Sequence, residues 1–461
     1  MKKIKTLKSK RLVYKPLGLD YLSDKYVNWM NDKDVNIYME SGGDYTIEKL
    51  KVFLIEQQKN QILFWAIIKK DTQKHIGNIK IDPINLETKS GEYGIMIGDK
   101  SEWGKGYAIE ASSTIMNYCF NEIGLNKINL GVNKSNKNAI RLYDKLAFVK
   151  YNRNKFPDKY KNVKEDVIRM TKNKYTDKII LGTAQFGMKY GINNLNGKIN
   201  NEEVYKILEY SYDSGIRQLD TAEAYGDSID LIGEFHSQNP EKKFKVFSKG
   251  TNNQTQDDYS FNIKSNLKKL SLEYYEGYMI HNYKSFKGNQ KLINEMVEAK
   301  SSGLIKHNGV SLYLNEEVNE VLSQNLFDFI QLPFNLLDNA FKRESVIKSA
   351  KSFNIDIHAR SIFLQGLFFK TQSLTPKKLK PLIKYINHLT NICKDFNVDL
   401  DELALKYALN KDYINKIIFG IDSINQLQKN IFTLENVVTI PDLQIDKINV
   451  LEDNLLNPNN W

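Results

Sequence analysis

The sequence predicts an α+β domain followed by a (β/α)8 TIM barrel, and three observations predict it. The chain has 461 residues, whereas single domains usually run about 100–200 residues and barrels about 250. Its charge divides: residues 1–173 hold 32 Lys and Arg against 20 Asp and Glu, and residues 174–461 hold 34 against 35. The second stretch alternates strand-like and helix-like segments, the pattern of a parallel sheet wrapped by helices. The polar run MTKNKYTDK at 170–178 marks the joint, so domains 1–173 and 174–461 are expected, with the buried-strand signal IILGTAQFG directly after it.

In the first domain RLVYK and FWAIIKK read as strands, and Leu19–Met30 and Ile47–Asn60 as helices, the second with Thr46 as N-cap. Strands HIGNIKID and EYGIMIG follow, then a helix from Gly104 to about Phe120. Strand KINLGV, a helix from Asn136 to Leu146 and a last strand ending near Thr171 complete the domain. The barrel strands are KIILGTA, QLDTA, FKVFSK, YYEGYMIH, IKHNGVS, DFIQLPF, IDIHARS and KIIFGID. Active sites of such barrels lie at the C-terminal strand ends.

Composition excludes several classes. At 41% hydrophobic and 26% charged the chain is globular in type. No apolar run reaches the about 18–20 residues of a membrane span. The opening MKKIKTLKSKRLVYKPL lacks the apolar core of a secretion signal. Cys119 and Cys393 match neither a metal-ligand spacing nor a disulfide framework. A cytoplasmic protein with no metal and no membrane partner is expected. The +11 charge suggests nucleic acid until it is located. An excess confined to one domain argues against a nucleic-acid partner and fits a small, multiply charged anion.

The stretch Ser101-Glu102-Trp103-Gly104-Lys105-Gly106-Tyr107-Ala108 follows a strand and opens a helix. Glycines there let the backbone approach a ligand, and free N–H groups at the helix start attract an anion. Alone, this is also an ordinary tight turn. The stretch Asn133-Lys-Ser-Asn-Lys-Asn138-Ala-Ile-Arg-Leu-Tyr143 follows at a matching distance. Together with RLVYKPL…YVNWMND, the two segments resemble the GNAT family of N-acetyltransferases, in its branch acting on ribosomal-protein N-termini and amino sugars. The resemblance spans about residues 10–172 and implies a mixed central sheet and acetyl-CoA as cofactor. Gly104, Lys105, Gly106, Tyr107 and Ala108 would then hold the pyrophosphate. Tyr93–Ile97, with Ile95, Met96 and Ile97, would pair with the pantetheine arm. Asn133 and Asn138 would help position the cofactor, and Tyr143 would protonate the departing thiolate. The family usually begins this turn with Gln or Arg, where this chain has Ser101. For the general base, Glu92 at a strand start suits the role and equally suits a surface carboxylate; His75 is the weaker alternative.

In the barrel, Asp220 and Tyr225 lie in QLDTAEAYG, Lys249 in VFSKG and His281 in YMIHNY. Singly, each is compatible with ordinary packing. Their combination and order resemble the aldo/keto reductase family over nearly all of 178–461, which implies NADPH or NADH as cofactor. Tyr225 would donate a proton to a carbonyl as hydride arrives. Lys249, held by Asp220, would lower the tyrosine pKa, and His281 would orient the carbonyl. Gly182, Thr183, Ser311, Gln331, Arg360 and Ser361 match cofactor positions. Arg360 stands where an aromatic ring is usual, and Leu312 where Asn usually follows Ser311. Gly420 and Gln426 replace the basic residues of NADP-selecting members, with Lys429 and Asn430 as polar partners, so NAD against NADP stays open.

The pairing implies a bifunctional enzyme acting on small molecules that carry an amine and a carbonyl or hydroxyl. Amino or keto sugars for bacterial surface glycans, nonulosonic sugars among them, fit, free or nucleotide-linked. A protein N-terminal acetyltransferase joined to an aldehyde-clearing reductase is the second reading. A barrel that only senses nicotinamide is the third. A homo-oligomer is left open.

Overall fold

The computed structural model describes residues 4–39, 42–60, 62–150, 166–194, 197–250, 259–370, 375–435 and 441–461. The chain divides into two compact units, Met1–Lys174 and Tyr175–Trp461.

The first unit is built on one sheet of β1 (Leu7–Lys8), β2 (Leu12–Pro16), β3 (Leu63–Lys69), β4 (His75–Asn85), β5 (Ser90–Ile97), β6 (Lys127–Asn133), β7 (Val149–Lys150) and β8 (Val167–Asn173). Their spatial order is β1-β2-β3-β4-β5-β6-β8-β7. All described pairs are antiparallel except β5 with β6, so the sheet is mixed. The alternation along β3 sets the layers: Trp65 and Ile67 enter one apolar cluster, Ala66 and Ile68 the other. Helix Tyr107–Tyr118 covers the first face, and helices Asp24–Asn31 and Ile47–Lys59 cover the second. With both faces covered, β3 is buried along most of its length.

Two expected helices begin later than the sequence suggested. The segment from Leu19 to Met30 is not one helix: a short turn, Leu19–Tyr21, precedes a helix from Asp24 to Asn31. Ser23 is extended and its hydroxyl accepts from the Tyr26 amide at 3.3 Å, starting a new helix. The helix expected from Gly104 starts at Tyr107, because Gly104 (φ +75) and Gly106 (φ +78) are left-handed. Thr46 caps its helix as expected, accepting from Lys49 N–H.

In the second unit β9 (Ile179–Gly182), β10 (Gln218–Asp220), β11 (Lys245–Gly250), β12 (Tyr275–Ile280), β13 (Ile305–Ser311), β14 (Phe329–Pro333), β15 (Asp356–Arg360) and β16 (Lys416–Gly420) close into a parallel barrel. Closure comes from β16 pairing with β9, Gly420 opposite Gly182. Ile180, Phe247, Met279, Phe329 and Ile418 fill the barrel interior. His358 stacks on Phe329 with centroids 4.4 Å apart. The interior is thus a packed plug, which leaves chemistry to the strand ends.

Candidate active sites

Most reductase positions expected from the sequence lie at or just beyond a C-terminal strand end, whereas Gln331 is central in β14 and Gln426 and Asn430 lie on helix Ile424–Glu435. Asp220 closes β10, Lys249 lies in the last two residues of β11, and His281 follows β12. Asp220 and Lys249 are buried and form an ion pair. The Lys249 ammonium also donates to the Thr221 carbonyl at 3.1 Å. Gln331 on β14 donates its amide N–H to the other Asp220 oxygen at 2.8 Å. The carboxylate is thereby held from two sides, which a buried charge requires. Tyr225 packs its ring edge-on to His281, with centroids 6.1 Å apart, and the Lys249 ammonium stands 5.1 Å from the Tyr225 centroid.

The expected lowering of the Tyr225 pKa is overturned. Burial, followed by Asp220, pushes the Tyr225 phenol above its ordinary value. The physical reason is first the burial of the phenol, which disfavours its anion; Lys249 is paired with Asp220, and that carboxylate raises the value further. Arg360 is the cation that lowers it. Burial, then Lys249 and Arg360, takes His281 down to about 4, so it is neutral at pH 7.

A cavity of about 290 Å³ opens beside these groups. Its wall runs from Asp220, Tyr225 and Gln331, past Gly182 and Thr183, to Gly420, Gln426, Lys429 and Asn430. Arg360 and Ser361 line it as well, while Ser311 is buried at the end of β13. The Thr183 hydroxyl is used within the protein: it donates to the Asp220 carbonyl at 3.0 Å and accepts from Ser228 at 2.8 Å. Arg360 lies 4.0 Å from the Tyr313 ring centroid and donates to the Leu312 carbonyl at 3.1 Å. Residue-by-residue reading missed Tyr313, Tyr190, Gln185 and Gln365. Gln365 donates to the Tyr190 hydroxyl at 3.1 Å across 175 residues, a pairing with no local signal. Beside them Ser361 and Gln365, which line the cavity, take positive φ, as does buried Leu364 between them.

The first unit carries its site in backbone geometry. β5 and β6 pair only from Ser90 to Glu92, opposite Lys127 to Asn129. Beyond Glu92, β5 keeps its partner β4 but no described strand pairs with its other edge through Tyr93–Ile97. Such an edge presents unmet N–H and C=O groups. The turn at 101–106 leads into helix Tyr107–Tyr118, whose first-turn amides are available to an anion. A Cβ built at Gly104 meets nothing within 4 Å, so open space lies over that turn. Arg11 braces it, donating to the Lys105 carbonyl at 2.9 Å and to Glu110 at 2.6 Å, with its guanidinium 4.4 Å from the Tyr107 centroid. The Lys105 ammonium is held by buried Glu102 at 3.0 Å.

Tyr143 is buried and packs edge-on to Tyr93, at 5.9 Å between centroids, where the two strands part. Burial raises its pKa to about 12, so it carries its proton at neutral pH. Glu92 pairs with Arg169 at 2.6 Å. Asn133 accepts from Ser135 N–H at 2.9 Å and donates to Asp166 at 2.8 Å, which makes it a turn former. Asn138 is exposed in the first turn of helix Lys137–Lys145. His75 sits among Tyr21, Tyr26 and Trp29, with its ring nitrogen against Asn78 Oδ1 at 2.9 Å, and burial lowers its pKa. That is a half-buried histidine held within aromatic packing.

A closed parallel barrel with this cluster at its strand ends defines an oxidoreductase domain, and the parted mixed sheet with its glycine turn defines an acyltransferase domain. The aldo/keto reductase family model matches residues 178–453 and the acetyltransferase (GNAT) domain model matches residues 11–149; the chain belongs to the aldo/keto reductase family and carries a GNAT domain before the barrel. The N-acetyltransferase p20 of Bacillus licheniformis is 29% identical over 154 residues, covering 32% of this chain and 84% of that protein. The oxidoreductase YqkF of Bacillus subtilis is 23% identical over 276 residues, covering 54% and 89%. The D-arabinose 1-dehydrogenase of Saccharomyces cerevisiae is 24% identical over 251 residues, covering 48% and 73%. GNAT domains use acetyl-CoA and aldo/keto reductases use nicotinamide cofactors. The open turn at Gly104, the edge of β5 that no described strand pairs, and the polar barrel cavity fit those groups. Among the described residues, no helix is long and apolar enough to cross a membrane.

Proposed function

We propose that the chain acetylates an amine and reduces a carbonyl on small sugar-like substrates, as steps of amino-sugar biosynthesis. The observation that carries the reductive half is the Asp220–Lys249–Gln331 network beside Tyr225 and His281 at one end of the cavity. When bound, a reduced nicotinamide supplies hydride to the carbonyl carbon and acetyl-CoA supplies an activated acetyl group. Tyr225 gives its phenolic proton to the carbonyl oxygen. Neutral His281 orients that oxygen, and the buried Asp220–Lys249 pair fixes the floor against which Tyr225 stands. Gly182, Thr183, Ser311, Gln331, Arg360, Ser361, Gly420, Gln426 and Asn430 are the residues assigned to hold the dinucleotide.

In the first unit, amides after Gly104 and Gly106 hold the pyrophosphate and the free edge of Tyr93–Ile97 aligns the pantetheine arm. Tyr143 gives its proton to the departing thiolate, and the proton that the amine nitrogen sheds as the amide forms passes to water, from which Tyr143 is reprotonated. Glu92, through its pairing with Arg169, is better suited to orienting the amine than to removing its proton. The sugar assignment is supported by a relative named for acting on D-arabinose. A panel of amino and keto sugars, with acetyl-CoA and NAD(P)H and products read by mass spectrometry, tests it. Acetylated or reduced sugar is the expected product; acetylation confined to peptide N-termini would refute the sugar reading.

A further inference from the structure

We infer that the far end of the barrel cavity selects the dinucleotide without a 2′-phosphate, NADH over NADPH. The inference rests on the reductase reading and specifies which nicotinamide that site takes. The cavity lined by Tyr225 is also lined by Gly420, Asp422, Gln426, Lys429 and Asp401, on and after the neighbouring strand end of β16. A dinucleotide with its reactive ring at Tyr225 would be held by these residues at its other nucleotide.

Each group at that end is set against an added phosphate. The Lys429 ammonium donates to Asp399 at 3.0 Å and pairs with Asp401 at 2.7 Å, so its charge is already met twice. Asp422 adds another carboxylate to the wall. Helix Ile424–Glu435 begins at this point, and a fresh helix start would ordinarily offer amides to an anion. Here two of those amides are taken. Ile424 N–H donates to the Glu203 carboxylate at 2.9 Å, and Gln426 N–H to the Ser423 hydroxyl at 3.3 Å. The Gln426 side-chain oxygen accepts from Asp422 N–H at 3.1 Å. The strand end itself is Gly420, which brings no basic side chain to the wall.

A 2′-phosphate brings close to two negative charges into this setting. It meets Asp401 and Asp422 with a single lysine that two aspartates already hold. A plain ribose brings hydroxyl donors, which carboxylates accept. Repulsion between like charges is stronger in a partly buried cleft than in water and weakens with salt.

The test is a fluorescence titration of the full chain with NADH and with NADPH at low ionic strength. NADH is expected to bind at least tenfold more tightly, with the gap narrowing as salt is added. NADPH binding as tightly or more tightly overturns the inference. Binding of neither overturns the reductase reading together with it. In the doubly substituted Asp401→Asn, Asp422→Asn chain, checked for an unchanged melting profile, the gap is expected to shrink at least threefold through tighter NADPH. An unchanged gap overturns the assignment to these carboxylates. As a probe of this end alone, 5′-AMP is expected to displace NADH at lower concentration than 2′,5′-ADP, and the reverse order also overturns the inference.

Discussion

The two sites of this chain are made of different materials. The barrel writes its chemistry in side chains: a buried aspartate, lysine and glutamine locked together below a tyrosine and a histidine. The acetyltransferase unit writes its chemistry in backbone: a strand edge left open beyond Glu92, two left-handed glycines and the first turn of a helix. The side chains that decorate this second site are largely engaged elsewhere, Asn133 in its turn, Lys105 with Glu102 and Glu92 with Arg169. A side-chain site should be breakable by deleting single functional groups. A backbone site should resist that and yield to changes in main-chain freedom.

The largest expected effect is at Tyr225. Tyr225→Phe should lower carbonyl reduction by about 10²–10⁴-fold while leaving acetyl transfer at its parental rate, both followed on one preparation. A small loss would mean that water supplies the proton. Next comes Lys249→Met, which leaves Asp220 buried with its countercharge gone. We expect a loss of about 3–5 kcal/mol from the barrel transition in urea, with the other transition unmoved. If the barrel melts unchanged, the pair is not what holds the site.

Acid should separate the units as well. His236, His281 and His358 in the barrel and His75 in the first unit all have pKa values lowered, by burial first. A histidine that binds its proton in the unfolded chain but not in the fold costs stability as pH falls. The loss begins near the ordinary value of about 6.5 and runs, for His281, down to about 4. Each such group contributes up to about 1.4 kcal/mol per pH unit across its window. Thermal melts from pH 7 to pH 4.5 should therefore show the barrel losing stability faster, and His281→Gln should flatten its slope. Parallel decline of both transitions would contradict this. The smallest expected effect tests the backbone site. Gly104→Ala meets no atom of the protein but must hold φ +75, at a cost of about 1–2 kcal/mol. The KM for acetyl-CoA should rise about 5–30-fold while reduction is untouched. A neutral outcome would show that the turn does not carry the phosphate.

The same contrast explains what could be read from the sequence. Asp220, Lys249 and His281 were legible because their combination and order at strand ends resemble a known family, and Gln331 and Arg360 only because they match that family's cofactor positions. The Tyr190–Gln365 bond and the Arg360–Tyr313 stack were not, because each joins segments far apart along the chain. The direction of the Tyr225 shift was missed since it depends first on how deeply the phenol is buried, which the local sequence does not carry. Ser23 divided an expected helix through one side-chain bond. The parting of β5 from β6 left no residue signature at all, since a missing hydrogen-bond ladder is an absence shared by ordinary strand residues. The glycine turn announced the second site only because left-handed backbone favours glycine, and Ser361, Leu364 and Gln365 show positive φ going unannounced.

That parting has a further consequence. The sheet of the first unit is one ladder short at its centre, between Tyr93–Ile97 and the end of β6. Whatever lies along that edge finishes the sheet as well as entering the reaction. A ligand held at 100 times its Kd adds about 2.7 kcal/mol to the fold it binds. The endurance of this unit, against heat or proteolysis, would then follow the supply of its own acetyl donor, so that a starved enzyme is also a more perishable one.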